Sequence, residues 1–318
     1  MTENEIMIQK KNAFKIITAG PTYLDIDAYA CAVALAELLV LKGENAVAYS
    51  SAPCNYSVCD FLKEDGQILK KLPENIAEEN TEYIIVDVSD PDFLKTSVPL
   101  EKVCAVYDHH PGFEAYWREQ IGDAARIEFI GAAATLIYRQ WKNEGLEEKM
   151  KNSTAKLLVA AILDNTLNLT SSNTTDEDIA AFRELCNKAG IGEEWCASYF
   201  SGVQSDVEAD LKNALFKDIK NIRNNPVLPP LVAQICVWDT ESILSKLSEI
   251  RALFDGTEYA WMINIIDIKH RCSYFVCDDV FYQKKIELLF GISFDAGVAK
   301  NDASYLRKEI IKKTLLCK

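Results

Sequence analysis

Apolar residues in this chain collect in short β-branched runs that alternate with longer stretches rich in alanine and leucine. Phe14–Ala19 (FKIITA), Tyr83–Val86 (YIIV) and Lys102–Tyr107 (KVCAVY) are runs of the first kind, too short for helices and closed by polar residues, as buried strands are. Asn45–Tyr49 and Arg126–Phe129 read as further strands. Between them, Asp27–Lys42 reads as a helix stopped by Gly43, and Ala132–Trp141 as another, glycine being the common residue just past a helix end. Helical stretches then dominate: Ser153–Asp164, Asp176–Ala189 behind the capping candidate Thr175 with Asp178 at the third helical position, and Asp206–Ile222. Strands alternating with helices predict a parallel, doubly wound sheet.

The pattern changes at Asn224–Pro230, where Asn-Asn-Pro and Pro-Pro interrupt any helix. Leu231–Val237 follows as a strand, Thr240–Phe254 as a helix, Tyr259–Asp267 and Cys272–Cys277 as paired strands, and Ser304–Leu315 as a last helix. The expected architecture is α/β: a doubly wound, mainly parallel domain over residues 1–203, a helical linker over 204–224, and a smaller α/β domain with a mixed sheet over 225–318.

Composition narrows the class. The chain of 318 residues is 49% hydrophobic, enough for a large core. No apolar run reaches the ~20 residues that span a bilayer, and Met1–Asn12 is polar, with no signal-peptide core. The ten cysteines show no paired C-x-x-C spacing, and Cys31, Cys104 and Cys236 sit in apolar runs as buried thiols. A reducing, cytoplasmic setting is expected. A net charge of −14 argues against broad binding of nucleic acid or anionic membrane. A small anionic substrate would need local cations, and Arg307–Lys318 supplies five basic residues.

The candidate chemistry sits where the strands end. Asp25 and Asp27 follow the first run, Asp87 closes YIIV, and Asp108-His109-His110 closes VCAVY, spending two of three histidines. Asp164 adds an acid to the otherwise apolar AAILDNTL. Ligands of open α/β sheets bind at the carboxyl ends of strands, buried carboxylates need a partner or a metal, and neutral imidazole is the commonest transition-metal ligand. Together these acids and imidazoles predict a metal site.

The order D-x-D, strand-Asp, Asp-His-His and a later L-D-N-T-L resembles the DHH phosphoesterase superfamily, and within it the family II manganese-dependent inorganic pyrophosphatases and related exopolyphosphatases. Gly131-Ala132-Ala133-Ala134-Thr135 resembles that family's small-residue turn, Phe216–Lys220 its linker, and Leu306–Ile311 its C-terminal basic segment. The glycine-rich, histidine-bearing segment of the other common branch is not found. The resemblance implies that Asp25 and Asp27 each help bind one metal, that Asp87 bridges both, and that His109 and Asp164 complete the second site. It further implies that His110 faces the phosphate, that Asp108 orients an imidazole, and that Lys220, Arg307 and Lys308 grip phosphate. One or two divalent ions follow, Mn²⁺ above all with Mg²⁺ or Co²⁺ as substitutes, and a homodimer by analogy with the bacterial pyrophosphatases.

Two cations about 3.5–4 Å apart can acidify a water and neutralise a phosphoanhydride. The reading is therefore a metal-dependent phosphohydrolase acting on a small phosphate substrate such as pyrophosphate, in a cleft between two α/β domains. An exopolyphosphatase, a nucleotide phosphodiesterase or a catalytically weak phosphate-binding relative stand as alternatives. Three departures matter. The family's motif I histidine is replaced by Pro21, the histidine after the strand-two Asp by Val88, and the serine before the basic pair by Leu306. Without that first imidazole, an oxygen-only site leans toward Mg²⁺.

Overall fold

The structure is a computed structural model that describes residues 13–63, 69, 80–222 and 225–315. The readings of Met1–Asn12, of Asn224 and of Leu316–Lys318 lie outside those residues. Contacts divide the chain into two units: Met1–Val58 with Leu62–Glu193, and Cys59–Phe61 with Glu194–Lys318.

The first unit is built on five parallel strands, β1 (Phe14–Thr18), β2 (Ala46–Ala48), β3 (Thr81–Val86), β4 (Val103–Asp108) and β5 (Ala125–Ile127), in the order β2-β1-β3-β4-β5. Its helices are α1 (Ile26–Leu41), α2 (Pro91–Leu94), α3 (Glu114–Ile121), α4 (Ala133–Asn143), α5 (Asn152–Asn165) and α6 (Asp176–Ala189). The small, apolar sequence of α1 leaves it buried around most of its circumference, as expected of a helix with no polar face. It packs on α5, α4, β1 and β2, while α5 packs on α6. Ile85, Leu94, Val98, Val103, Val106 and Trp117 form a separate buried cluster. In the order β2-β1-β3 the chain reverses direction across the sheet between β1 and β3, the switch point where such folds leave a crevice. Asp25, Asp27 and Asp87 follow those two strands.

The second unit holds β6 (Lys220–Asn221), β7 (Leu231–Val237), β8 (Trp261–Asp267), β9 (Cys272–Val276) and β10 (Val298–Asn301) in the order β10-β9-β8-β7-β6. Only β7 and β8 run parallel, so the sheet is mixed as expected. Its helices are α7 (Glu193–Ala209), α8 (Leu211–Lys217), α9 (Glu241–Ser245), α10 (Leu247–Leu253), α11 (Val280–Phe290) and α12 (Arg307–Leu315). Residue 203 falls inside α7, which the second unit holds from Glu194.

Several expectations need correction. The helix read over Asp206–Ile222 is two helices and a strand: Asp210 caps α8 by accepting from the Asn213 N–H at 3.1 Å, and Lys220–Asn221 pair antiparallel with Leu231 and Val232. A capping carboxylate satisfies orphan donors only where a new helix begins. Thr240–Phe254 breaks at Lys246 into α9 and α10. Cys104 is half-buried, whereas Cys31 and Cys236 are buried as read. Among the described residues no helix is long and apolar enough to cross a membrane.

Candidate metal centre

Parallel pairing of β3 with both β1 and β4 sets the ends of these strands side by side, with Thr18 opposite Ile85 and Val86 opposite Tyr107. Asp87 extends the ladder by one bond, its N–H donating to the Tyr107 carbonyl at 2.8 Å. It then turns left-handed, with φ 58°, a conformation that aspartate tolerates better than branched residues. Trp117 steadies the chain beyond, its Nε1–H donating to the Ser89 carbonyl at 2.6 Å.

Asp108 folds the turn that carries both imidazoles. Its Oδ1 accepts the N–H of His109 at 2.7 Å, the N–H of His110 at 3.1 Å and His110 Nδ1–H at 2.8 Å. Burial alone would raise the Asp108 carboxyl, but the His110 hydrogen bond and charge outweigh it and leave the group below its ordinary value. Asp108 thus holds the His110 ring by a hydrogen bond.

His109 is oriented from the other side. Its Nδ1 lies 3.1 Å from the Ile130 carbonyl oxygen. A carbonyl only accepts, so Nδ1 carries a proton, and in the neutral form of the ring Nε2 carries the lone pair. Nε2 lies 3.3 Å from Asp87 Oδ1 and 3.9 Å from Asp27 Oδ2. A lone pair and two carboxylates brought this close in a buried site repel unless a cation stands between them, and a proton or a metal ion meets that need. Asp87, His109 and His110 each present a ligand atom within 4.8 Å of the others. An imidazole nitrogen beside two carboxylates suits a first-row divalent ion, so the residues present fit such a group.

Asp27 is fully buried and does more than face His109. Its Oδ2 accepts the Ala133 N–H and its Oδ1 the Ala134 N–H, both at 2.8 Å, and the Cys31 thiol lies 3.4 Å from Oδ1. These are the first N–H groups of α4, where negative charge is stabilised. Burial, then the charge of Asp25, push the Asp27 carboxyl up to about 7 against those hydrogen bonds. Asp25 itself caps α1, accepting the Ala28 N–H at 3.0 Å. Asp164 is half-buried in the last turn of α5. Beyond it, Leu167, Asn168 and Leu169 are all left-handed, at φ 50°, 57° and 62°, a costly conformation for non-glycine residues that clusters at working sites.

The structure therefore brings together Asp27, Asp87, Asp108, His109 and His110. Gly20 lies under the Phe93 ring, which occupies the space a side chain there would need. Lys220, Arg307 and Lys308 belong to the second unit. There Lys220 is exposed and Lys308 half-buried, while Arg307 is buried. The Arg307 guanidinium donates to the Asp218 carbonyl and, at 2.7 Å, to Asp218 Oδ1. A second group, Asp239, Asp267 and His270, also has metal-like spacing. Its acceptors are engaged: Asp267 takes the Thr240 N–H and hydroxyl and the His270 ring, and Asp239 pairs with Lys269 at 2.9 Å. Two residues hydrogen-bonded to each other beside the His109 carbonyl partner, the Gly131 N–H donating to Asp178 Oδ2 at 2.9 Å, escaped sequence reasoning. Asp178 was legible only as part of a helix cap, and Gly131 only as a small-residue position.

Carboxylates and paired imidazoles stand at the switch point of a parallel sheet, followed in the chain by a unit with a mixed sheet, an arrangement similar to that of the DHH phosphoesterases. No protein-family model matches the chain. In sequence it is 25% identical over 247 residues to a probable manganese-dependent inorganic pyrophosphatase of Bacillus cereus, covering 76% of this chain and 77% of that one. It is 26% identical over 253 residues, with the same coverage, to the protein of that name from Bacillus cytotoxicus. In fold it resembles a Methanococcus jannaschii protein provisionally named a family II inorganic pyrophosphatase, with TM-score 0.68, 21% identity, and 95% and 98% of the two chains covered. An exopolyphosphatase-related protein of Bacteroides fragilis superposes with TM-score 0.51 and 12% identity over 99% and 97% of the chains. The resemblance read from the motifs is thus met again in sequence over 76% of the chain and in fold.

Proposed function

We propose that the chain is a metal-dependent phosphohydrolase that cleaves a phosphoanhydride, with inorganic pyrophosphate the foremost substrate. The observation that carries this reading is His109: a carbonyl holds a proton at its Nδ1, so Nε2 is the ring nitrogen that faces Asp87 and Asp27 in a buried, acid-lined pocket. When bound, a divalent cation supplies charge neutralisation and a water acidified for attack on phosphorus. Asp27, Asp87 and His109 would hold it, with Asp25 and Asp164 assigned as further ligands by the resemblance. Asp108 fixes the His110 ring through Nδ1, which leaves Nε2 of that half-exposed side chain to hold a proton for the departing phosphate oxygen. The resemblance assigns Lys220, Arg307 and Lys308 to phosphate; Arg307 is buried against Asp218, so Lys220 and Lys308 are the candidate grips. A chain of net charge −14 needs such local cations to accept an anion.

The names of the similar proteins favour pyrophosphate with Mn²⁺. Pro21 favours the second reading, a relative that binds phosphate compounds without turnover, because a ligand position of the family is then vacant. The test is phosphate release from pyrophosphate, polyphosphate and nucleotides by protein stripped with EDTA and reloaded with Mn²⁺, Mg²⁺ or Co²⁺. The expected result is metal-dependent release, fastest from pyrophosphate, lost in a folded His109→Ala variant that also binds less metal. Metal uptake without release from any substrate would replace the first reading by the second.

A further inference from the structure

Asp178 reads in the sequence only as part of a helix cap, yet one peptide bond ties it to the centre. The carbonyl that accepts His109 Nδ1–H at 3.1 Å belongs to Ile130, and the N–H of that same peptide unit, carried by Gly131, donates to Asp178 Oδ2 at 2.9 Å. The two hydrogen bonds engage opposite ends of one conjugated amide. A carboxylate accepting at the N–H end shifts electron density toward the carbonyl oxygen, and hydrogen bonds in such a chain reinforce one another at low dielectric. A stronger acceptor at Nδ1–H makes Nε2 a stronger electron donor, as partners of metal-bound imidazoles do.

The surroundings of Asp178 are built for this contact. The carboxylate is fully buried. Its Oδ2 also accepts the Thr175 N–H at 2.8 Å and hydroxyl at 2.7 Å, and its Oδ1 accepts the Thr135 hydroxyl at 2.6 Å. Capping α6 requires only the Thr175 bonds, so those to Gly131 and Thr135 exceed what a cap needs. Gly131 must lack a side chain for the approach: a Cβ there would lie 2.6 Å from Asp178 Oδ2 and 2.7 Å from Thr166 Cγ2. Asn173 Nδ2 lies 3.4 Å from the Gly131 carbonyl oxygen, on the peptide that follows.

The geometry points to Asp178 as a positioning residue of the metal centre. Through the Ile130–Gly131 peptide it fixes the tautomer and orientation of His109 and strengthens Nε2 as a ligand for a divalent cation. This rests on the metal-centre reading above.

Asp178→Asn tests it, because the amide keeps the shape, keeps an oxygen for Gly131 and Thr175, can donate to the Thr135 hydroxyl, and loses the charge. Two readouts apply, ¹⁵N–¹H spectra of the His109 ring in metal-free protein at fixed alkaline pH, and the affinity for Mn²⁺ alone by calorimetry. The wild-type ring should show the Nδ1–H tautomer with a downfield ring proton. In Asp178→Asn that proton should move upfield, the second tautomer should appear, and Mn²⁺ should bind at least about tenfold more weakly. Thr135→Val, which removes a different bond to the same carboxylate, should cost stability and leave both readouts alone.

Wild-type ring signals and Mn²⁺ affinity in Asp178→Asn would overturn the proposal, as would an equal effect from Thr135→Val. If Asp178→Asn does not fold, the wild-type spectrum decides, since an Nε2–H tautomer overturns the proposal by itself. A wild-type protein that ignores Mn²⁺ would remove the metal-centre reading, while the ring spectra would still answer for Asp178.

Discussion

Both carboxylate oxygens of Asp27 are engaged, one by the Ala133 N–H and one by the Ala134 N–H and the Cys31 thiol, and only Oδ2 turns toward His109 Nε2, at 3.9 Å. In the metal-free protein a proton can occupy the place of the cation, which agrees with a carboxyl raised by burial and by Asp25 from its ordinary 3.8 to about 7. The sign of the pH effect follows. Between those values the folded state holds a proton that the unfolded chain has released, so the contribution is complete at low pH and is lost as pH rises toward 7. The stability of metal-free wild type minus that of Asp27→Asn, from urea unfolding, should therefore fall with rising pH by roughly 1 kcal/mol per unit across the window. A difference that rises with pH would show that Asp27 is charged throughout. Residue types at strand ends announced Asp27, Asp87 and the paired histidines, because buried acids and imidazoles are conspicuous in an apolar sequence. They could not announce that Asp27 also clamps α4, since that partnership depends on a helix more than a hundred positions away.

At the level of elements, α12 enters the second unit at Arg307, a side chain that also reaches the Val232 carbonyl at 3.2 Å in β7 and Asp218 just past α8. Removing a buried partner leaves its counter-charge stranded, at a cost of about 3–5 kcal/mol. Arg307→Ala should therefore lower the stability of the second unit by that order in guanidinium unfolding, and Arg307→Lys should not restore it, because ammonium lacks the planar fork. Altered kinetics with unchanged stability would instead mark a guanidinium committed to phosphate. The elements themselves were legible where apolar runs were distinct, as in β1, β3, β4, β7 and α1, or where a cap marked the start, as in α6. They were misread where one carboxylate decides a boundary: Asp210 starts α8 inside what reads as a single helix over Asp206–Ile222. The short α2 owes its start to Asp90, which accepts the Asp92 N–H at 2.9 Å and the Phe93 N–H at 3.3 Å, ahead of proline at its first position. A four-residue element offers no period to detect.

Over the whole molecule, the strand order β2-β1-β3-β4-β5 brings residues distant in the chain to one sheet edge. That topology makes D-x-D, strand-Asp and Asp-His-His into one site rather than three loops. The mixed second sheet carries the rival metal-like group at Asp239, Asp267 and His270, and the two groups make opposite claims on an added ion. Anomalous diffraction at the manganese edge, from crystals grown with Mn²⁺, separates them most directly. The expected result is a peak within bonding distance of His109 Nε2 and the Asp87 carboxylate. A peak only at Asp239, Asp267 and His270, or no peak with His109 and Asp87 in their present contact, would contradict the assignment of a metal centre to the first unit.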